Sequence, residues 1–214
     1  LLACFGFTAG SALAANGPAA MAFATTTTAS AAAMLTWMFF DRLHGRKVSA
    51  LGACIGAVVG LVAITPAAGF ITVPQSMFFG FITAIVSNKV LYSKAMKKID
   101  DTLDVFACHG VGGIMGMILT ALFAQGENAS LMHGGWTVFG HHMMALFLVS
   151  FFTFFGSILL FKVTNFFIPL RVSEESEHIG LDISQHDETL DPHKDAALHN
   201  PILELAKEPA ANVS

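Results

Sequence analysis

Four stretches of this chain carry no Asp, Glu, Lys or Arg at all: residues 1–40, 48–88, 105–126 and 128–161. A helix needs roughly 20 predominantly apolar residues to cross the hydrocarbon core of a bilayer, and these stretches hold material for several crossings. Lipid offers a peptide group no hydrogen-bond partner, so each crossing must satisfy its own backbone as a helix or close into a barrel. Barrel strands read as alternating segments of about 10 residues, and the apolar runs here do not alternate. The expected fold class is all-α, a polytopic transmembrane helix bundle. Only 12% of the 214 residues are charged, about half the share of a soluble domain, which argues against a water-soluble protein.

Turn signals divide the long runs. Asn16-Gly17-Pro18 separates a first helix (1–15) from a second (19–40). Pro66, Gly69 and Pro74 separate a third (48–65) from a fourth (76–96), a fifth covers 103–124, and a sixth covers 141–169 and ends at Pro169. Leu1 is not Met and no charged segment precedes the first apolar run, so the chain reads as a piece of a longer protein rather than as one opening on a signal peptide.

Basic residues collect on the cytoplasmic side of membrane proteins. Arg42, Arg46 and Lys47 lie in one connection and Lys94, Lys97 and Lys98 in another, while the turns at 14–18, 66–75 and 125–140 hold no Lys or Arg. Six crossings put these groups on alternating sides without conflict, with both chain ends inside. Lys162 snorkels to the inner interface near the end of the sixth helix. Residues 171–214 differ, with 3 basic and 10 acidic residues and a net −7, against +3 for residues 1–170. The expected organisation is a transmembrane domain over 1–170 and an acidic cytoplasmic tail over 171–214, partly disordered, particularly after Asp191. Asn128-Ala129-Ser130 is a glycosylation sequon in an outer connection. Cys4, Cys54 and Cys108 stand in apolar runs without paired spacing, which favours neither disulfides nor a zinc site.

Gly6 and Gly10, Gly52, Gly56 and Gly60, and Gly112 and Gly116 stand four apart. That spacing puts glycines on one helix face and lets backbones approach closely, so any pore through the bundle is narrow. His109 is the sharpest candidate for chemistry, because an ionisable group inside a crossing is rare and usually faces a cavity or the bundle interior. Imidazole suits a proton-linked task, and an apolar site disfavours its charged form. A purely structural histidine, bonded to a neighbouring helix, stays open as an alternative; a haem or metal ligand needs a partner at ligand spacing, which the crossings lack. Phe7, Thr8 and Ser11 on the Gly-rich first helix suit a narrow path, although lipid-facing Phe and hydroxyls bonded to their own helix serve as well. Thr25 to Thr28 and Thr65 read as bonded to their own helices. Asp100, Asp101 and Asp104 open the fifth helix, where acids favour the dipole; Asp104 is the deepest and could tie down a neighbouring helix. His141 and His142 sit at the outer mouth of the sixth helix. His44, His178, His186, His193 and His199 are surface groups.

Three stretches resemble the Amt/MEP/Rh family of ammonium transporters: Phe5-Gly6-Phe7-Thr8-Ala9-Gly10-Ser11 with Asn16; Leu51-Gly52-Ala53-Cys54 through Thr65-Pro66; and Asp100-Asp101 through Asp104-Val105-Phe106 to His109-Gly110 and Gly112-Gly113. The tail from Leu170-Arg171-Val172 to Gly180-Leu181-Asp182 is similar to the Amt branch. The likeness covers nearly residues 1–185 and implies the ammonium transporter fold, of which these would be the last six of eleven helices, in a homotrimer with one pore per subunit. It implies that His109 is the second of two pore histidines, Phe7 a gate above it and Ser11 part of an outer recruitment site. Gly180 would be the hinge of a regulatory tail that includes Arg171. Ammonium, with methylammonium as an analogue, would be recruited outside and deprotonated, with ammonia and a proton passing the hydrophobic pore. A PII-type regulatory protein at the cytoplasmic face, membrane lipid, and a plasma or bacterial inner membrane location follow from the same likeness. Cys4 departs from a Trp common in the family. The implied first five helices would carry the other histidine. An ammonium sensor signalling through the tail is the runner-up. A membrane enzyme ranks below both, since no nucleophile–base pair or metal spacing is present, and neither a cofactor nor nucleic acid is expected.

Overall fold

The computed structural model describes residues 2–125, 130–133 and 135–188, and every regular element among them is helical. They are α1 (Leu2–Gly10), α2 (Gly17–Leu43), α3 (Ala50–Ile64), α4 (Val73–Leu91), α5 (Gly112–Phe123), α6 (Trp136–Phe167), α7 (Glu174–Ile179) and α8 (Leu181–His186). A π-helical segment, Phe106–Val111, leads into α5, and short 3-10 turns occupy Met96–Lys98 and Leu131–His133. The chain forms two compact units that divide between Phe152 and Thr153, within α6.

The first unit holds the first five expected apolar helices, with shifted ends, and the beginning of the sixth. α1 stops at Gly10 rather than near residue 15, and the chain turns through Leu13, a non-glycine residue at φ 57°. The Asn16-Gly17-Pro18 break becomes a cap: Asn16 Oδ1 accepts from the Ala19 amide at 3.1 Å, and Pro18 sits in the first turn, where its missing N–H costs nothing. α3 starts on Ser49, whose Oγ accepts from the Gly52 amide at 3.0 Å. α4 starts at Val73 because Gln75 Oε1 turns back to accept from the Thr72 amide at 2.8 Å. That bond draws Pro74 into the first turn rather than leaving it in the connection.

α2 is the central helix, and the glycines explain how. A Cβ on Gly60 of α3 would lie 2.5 Å from the Ala29 carbonyl oxygen, and one on Gly80 of α4 would overlap that same oxygen. Backbones of three helices therefore meet around Ala29, the close approach that small residues permit. Gly56 admits the Trp37 side chain, where a Cβ would lie 2.6 Å from Trp37 Cβ, and Gly116 brings α5 against Ala63 of α3. Hydroxyls add cross-links: Thr25 Oγ1 donates to Ala68 O at 2.6 Å, Ser30 Oγ to Ala57 O at 3.1 Å, and Thr28 shares a bond with Ser76. Thr25, Thr27, Thr28 and Thr65 also bond to their own helices, as expected, but Thr26 Oγ1 is buried with no partner among the described residues.

By length and composition, Phe106–Phe123 and Trp136–Phe167 are each apolar enough to cross a membrane; Ala50–Ile64 is a shorter apolar helix. No residue of α6 is buried, and its Phe, Leu and Ile side chains face outward along its length, which water would penalise and lipid or apolar helices would not. α6 begins before His141 and His142 rather than at them, and His142 Nδ1 meets Val138 O at 3.0 Å.

The second unit contains the end of α6 and the tail helices. Ser173 Oγ caps α7 by accepting from the Ser176 amide at 3.2 Å. Gly180, at φ +105°, breaks the chain between α7 and α8, a conformation that side chains rarely adopt. Ser184 Oγ of α8 then donates to Ser176 O at 3.1 Å, and Arg171 pairs with Glu177 at 3.1 Å. The tail is thus helical over much of 174–186. Residues 189–214, including Thr189, Asp191, His193 and His199, lie outside the described residues, as do Asn128 and Ala129 of the sequon.

Replacing Gly80 by Ala in the full-length protein forces α4 away from the Ala29 carbonyl. Overpacking of this kind costs about 1–3 kcal/mol, so the thermal unfolding temperature in detergent should fall measurably; an unchanged value would contradict the close approach.

Candidate functional site

Three candidate residues come together at one end of α2. Phe7, Thr8 and Ser11, with Pro18, Thr65 and Phe70, line a cavity of about 270 Å³ between α1, the start of α2 and the α3–α4 connection. Phe7 is 67% exposed and Thr8 is buried. The hydroxyls share one property. Thr8 Oγ1 donates to Cys4 O at 2.8 Å, Ser11 Oγ to Phe7 O at 2.9 Å and Thr65 Oγ1 to Leu61 O at 2.7 Å. With each proton spent on its own helix, such a hydroxyl offers a ligand only lone pairs. The hydroxyls here suit a small group rich in N–H donors, set against an aromatic ring whose face also attracts cations.

His109 lies on the π-helical segment and does not line that cavity. The segment buries Ala107 and Cys108 against the bundle and leaves His109 exposed, its imidazole without a hydrogen bond to any described residue. The bonded-to-a-neighbour alternative therefore has no contact to support it among the described residues. π-Bulges re-aim side chains and occur often at functional sites. Two glycines beside His109 sit in tight surroundings: a Cβ on Gly110 would lie 3.0 Å from the Phe106 ring, and one on Gly112 would lie 3.2 Å from Val62, whereas Gly113 has open space.

At the other end of α2 is a polar cluster that sequence reasoning passed over. Asp41, only 4% exposed, accepts on Oδ1 from Arg46 Nε at 2.8 Å and from Asn88 Nδ2 at 2.9 Å. Arg46 also donates to Asn88 Oδ1, and its guanidinium lies 3.9 Å over the Tyr92 ring. These bonds tie the end of α2 to the end of α4 and give one oxygen of a buried carboxylate the partners without which it would be costly. Burial pushes the Tyr92 hydroxyl above its ordinary range; nearby Asp41 and Asp104 add to the shift and Arg46 opposes it. Asn88, within an apolar helix, was the available signal, since polar side chains in a crossing need a partner.

The three acids before the fifth helix part company. Asp101 caps it, accepting from the Val105 amide at 2.9 Å and the Phe106 amide at 2.8 Å. Asp104 stands outside the helix at φ 55°, a left-handed conformation that Asp tolerates better than most residues, and it bonds to no neighbouring helix. Its carboxyl is pushed up from 3.8, first by burial and then by the Asp101 charge. Arg171 and Gly180 sit in the second unit, at the α7 ion pair and the α7–α8 break. Among the described residues no three metal-ligating groups cluster, and the cysteines are free.

Residues 2–190 match the sequence profile described as the Ammonium Transporter Family. The chain belongs to that family. An ammonium transporter of Bacillus subtilis is 40% identical over 190 residues, a match that covers 86% of this chain and 47% of the relative. Ammonium transporter Amt1 of Archaeoglobus fulgidus is 38% identical over 187 residues, covering 86% and 48%. The chain thus spans about half the length of the curated relatives it matches. The crystal structure of the N240A mutant of Candida albicans Mep2 superposes with a TM-score of 0.76 at 32% identity, over 94% of this chain and 45% of that one. The structure titled Sensor Amt Protein superposes at 0.75 and 29% identity, over 85% and 45%. An ammonium transporter family member with this helix arrangement is an integral, multi-pass membrane protein and not an enzyme. The all-α transporter fold expected from the sequence is the fold found.

The Asp104 environment has a pH consequence. A carboxyl whose pKa is raised in the folded state ionises less readily there than in the unfolded chain, so stability falls as pH rises from about the unfolded value of 3.8 through the raised one. Asp104→Asn keeps a residue that tolerates positive φ and removes the charge. Melting of the full-length variant between pH 3 and 7 should lack that decrement, a small effect because the group is only partly buried; a curve parallel to the parent's would refute the assignment.

Proposed function

We propose that the chain is the later half of a protein that carries ammonium or ammonia across a membrane through a narrow hydrophobic pore. Family membership supports the substrate. The observation that carries the mechanism is the exposed His109 on a π-helical segment of an apolar helix, where an imidazole faces away from its own bundle and is available to line a path. Phe7 serves as a gate and Ser11 and Thr8 as acceptors where ammonium is recruited and loses its proton, consistent with their shared cavity and committed hydroxyl protons. His109 acts with a second histidine supplied by the part of the fold that precedes this chain. A bare cation pays heavily for entering an apolar channel, so transfer as ammonia with separate proton handling by imidazole is the cheaper route. The protein works as a homotrimer surrounded by lipid in the plasma or bacterial inner membrane, with its C-terminus in the cytoplasm.

A second reading, an ammonium sensor that signals through the tail, draws on the similarity to the structure titled Sensor Amt Protein. The ordered α7–α8 unit, with Gly180 as hinge and Arg171 paired to Glu177, supports tail regulation in either reading, including by a PII-type protein at the inner face.

Methylammonium uptake by the full-length gene in transport-deficient cells separates transporter from sensor. His109→Ala should change either the uptake rate or the selectivity for ammonium over potassium; if both stay at the parent's level, the pore role is wrong. Truncation before residue 171 should alter the rate of uptake or its response to ammonium supply, and an indistinguishable truncated protein would remove the tail from the mechanism.

A further inference from the structure

A cavity of about 350 Å³ lies at the Asp41 end of α2, lined by Trp37, Ser49, Gly52, Tyr92, Asp101 and Asp104 among others. Trp37 is fully buried, and its indole N–H has no hydrogen-bond partner among the described residues. Leaving such a donor unsatisfied in a folded protein costs about 1–3 kcal/mol, so an orphan of this kind needs an explanation.

The surroundings of Gly52 supply one. A Cβ built on Gly52 would lie 3.2 Å from Ser49 Oγ, 3.4 Å from Asp41 Oδ2 and 3.5 Å from Trp37 Nε1. Three polar atoms from the end of α2 and the start of α3 therefore converge in front of a residue that has no side chain. Their hydrogen-bonding capacity is uneven. Asp41 Oδ1 takes the bonds from Arg46 and Asn88, while Oδ2 receives none from the described residues. Ser49 Oγ accepts from the Gly52 amide and retains a lone pair and a proton. The set amounts to one obligatory donor, the indole, and two oxygens able to accept.

We infer that this position binds a single neutral hydride with a lone pair and at least two protons: water or ammonia. Trp37 donates to its lone pair, and its protons go to Asp41 Oδ2 and Ser49 Oγ. The chemistry rejects ammonium itself, because a tetrahedral cation has no lone pair to accept from the indole, and the Asp41 charge is already matched by Arg46 at 2.8 Å. A methyl group at Gly52 would touch all three atoms and take up the space in front of them. The molecule would close a hydrogen-bonded ring joining α2, α3 and, through Asp41 and Asn88, α4. The site lies at the opposite end of α2 from the Phe7 cavity. Water binding is independent of the proposed transport; only the ammonia alternative rests on it.

The test is ultraviolet resonance Raman spectroscopy of the full-length protein in detergent, using the indole band that reports N–H hydrogen bonding. Subtracting the Trp37→Phe spectrum isolates Trp37. A hydrogen-bonded indole in amine-free buffer, unchanged when ammonium salt at alkaline pH replaces sodium salt at equal ionic strength, identifies water. A bond that forms or strengthens only with the ammonium salt identifies ammonia. A free indole in both buffers overturns the site. Gly52→Ala provides a second check that keeps Trp37: loss of the bonded signal supports the site, and its persistence places the partner elsewhere and refutes the proposal. Parallel uptake measurements distinguish failure of the site from failure of the transport reading, since absent uptake with a water-bonded Trp37 leaves the site intact.

Discussion

The contact on which the bundle depends is the approach of two glycine-bearing helices to one carbonyl, Ala29 O, from Gly60 on one side and Gly80 on the other. In lipid there is little hydrophobic gain in bringing helices together, so association rests on van der Waals contact and interhelical hydrogen bonds. Both require short distances. Alanine and glycine along α2, α3 and α4 supply the distance, and Thr25, Ser30 and the Thr28–Ser76 pair then reach across it. A larger residue at Gly60 or Gly80 would lose the packing and lengthen the bonds together.

That closeness also decides where a ligand can go. The middle of α2 is filled by backbone, so the two cavities at α2 lie at its ends: the Phe7 cavity beside its first turns and the Trp37 cavity beside its last. Capping residues govern both. Asn16 and Thr72 set the starts of α2 and α4 near the first, and Ser49 sets the start of α3 near the second. The same Ser49 hydroxyl that caps α3 borders the orphan indole, so local helix initiation and the polar site share one side chain.

Much of this was legible in the sequence because it follows from composition and period. Charge-free runs identified the helices, Asn16-Gly17-Pro18 located a boundary, the four-residue glycine spacing announced close packing, and the motif around His109 and Phe7 indicated the family. What was missed depends on contacts between distant positions. Asp41 directly precedes the basic connection that holds Arg42, Arg46 and Lys47, yet it is buried, and Arg46, five residues on, and Asn88, on another helix, converge on it. Asp104 read as an N-terminal helix acid, but Asp101 alone takes the cap and leaves Asp104 in a left-handed turn outside it. The π-helical segment has no periodicity of its own in six residues, so the outward placement of His109 emerges only when Ala107 and Cys108 are seen packed inward.

The ends of α2 make opposite demands on a ligand, and the difference bears on the proposed transport. Near Phe7, the hydroxyls of Thr8, Ser11 and Thr65 have given their protons to their own helices, so they favour a species that only donates. Ammonium is such a species. Near Trp37, an indole N–H with no acceptor among the described residues favours a species that carries a lone pair, which ammonium lacks and ammonia has. A molecule suited to the first environment becomes suited to the second only by losing a proton. Imidazole is the side chain whose unperturbed pKa allows it to accept and release a proton near neutrality, and His109 is an exposed histidine on the π-helical segment that leads into α5. The donor and acceptor inventory at the two ends is thus consistent with the proposed order of events, in which ammonium loses a proton before it moves on.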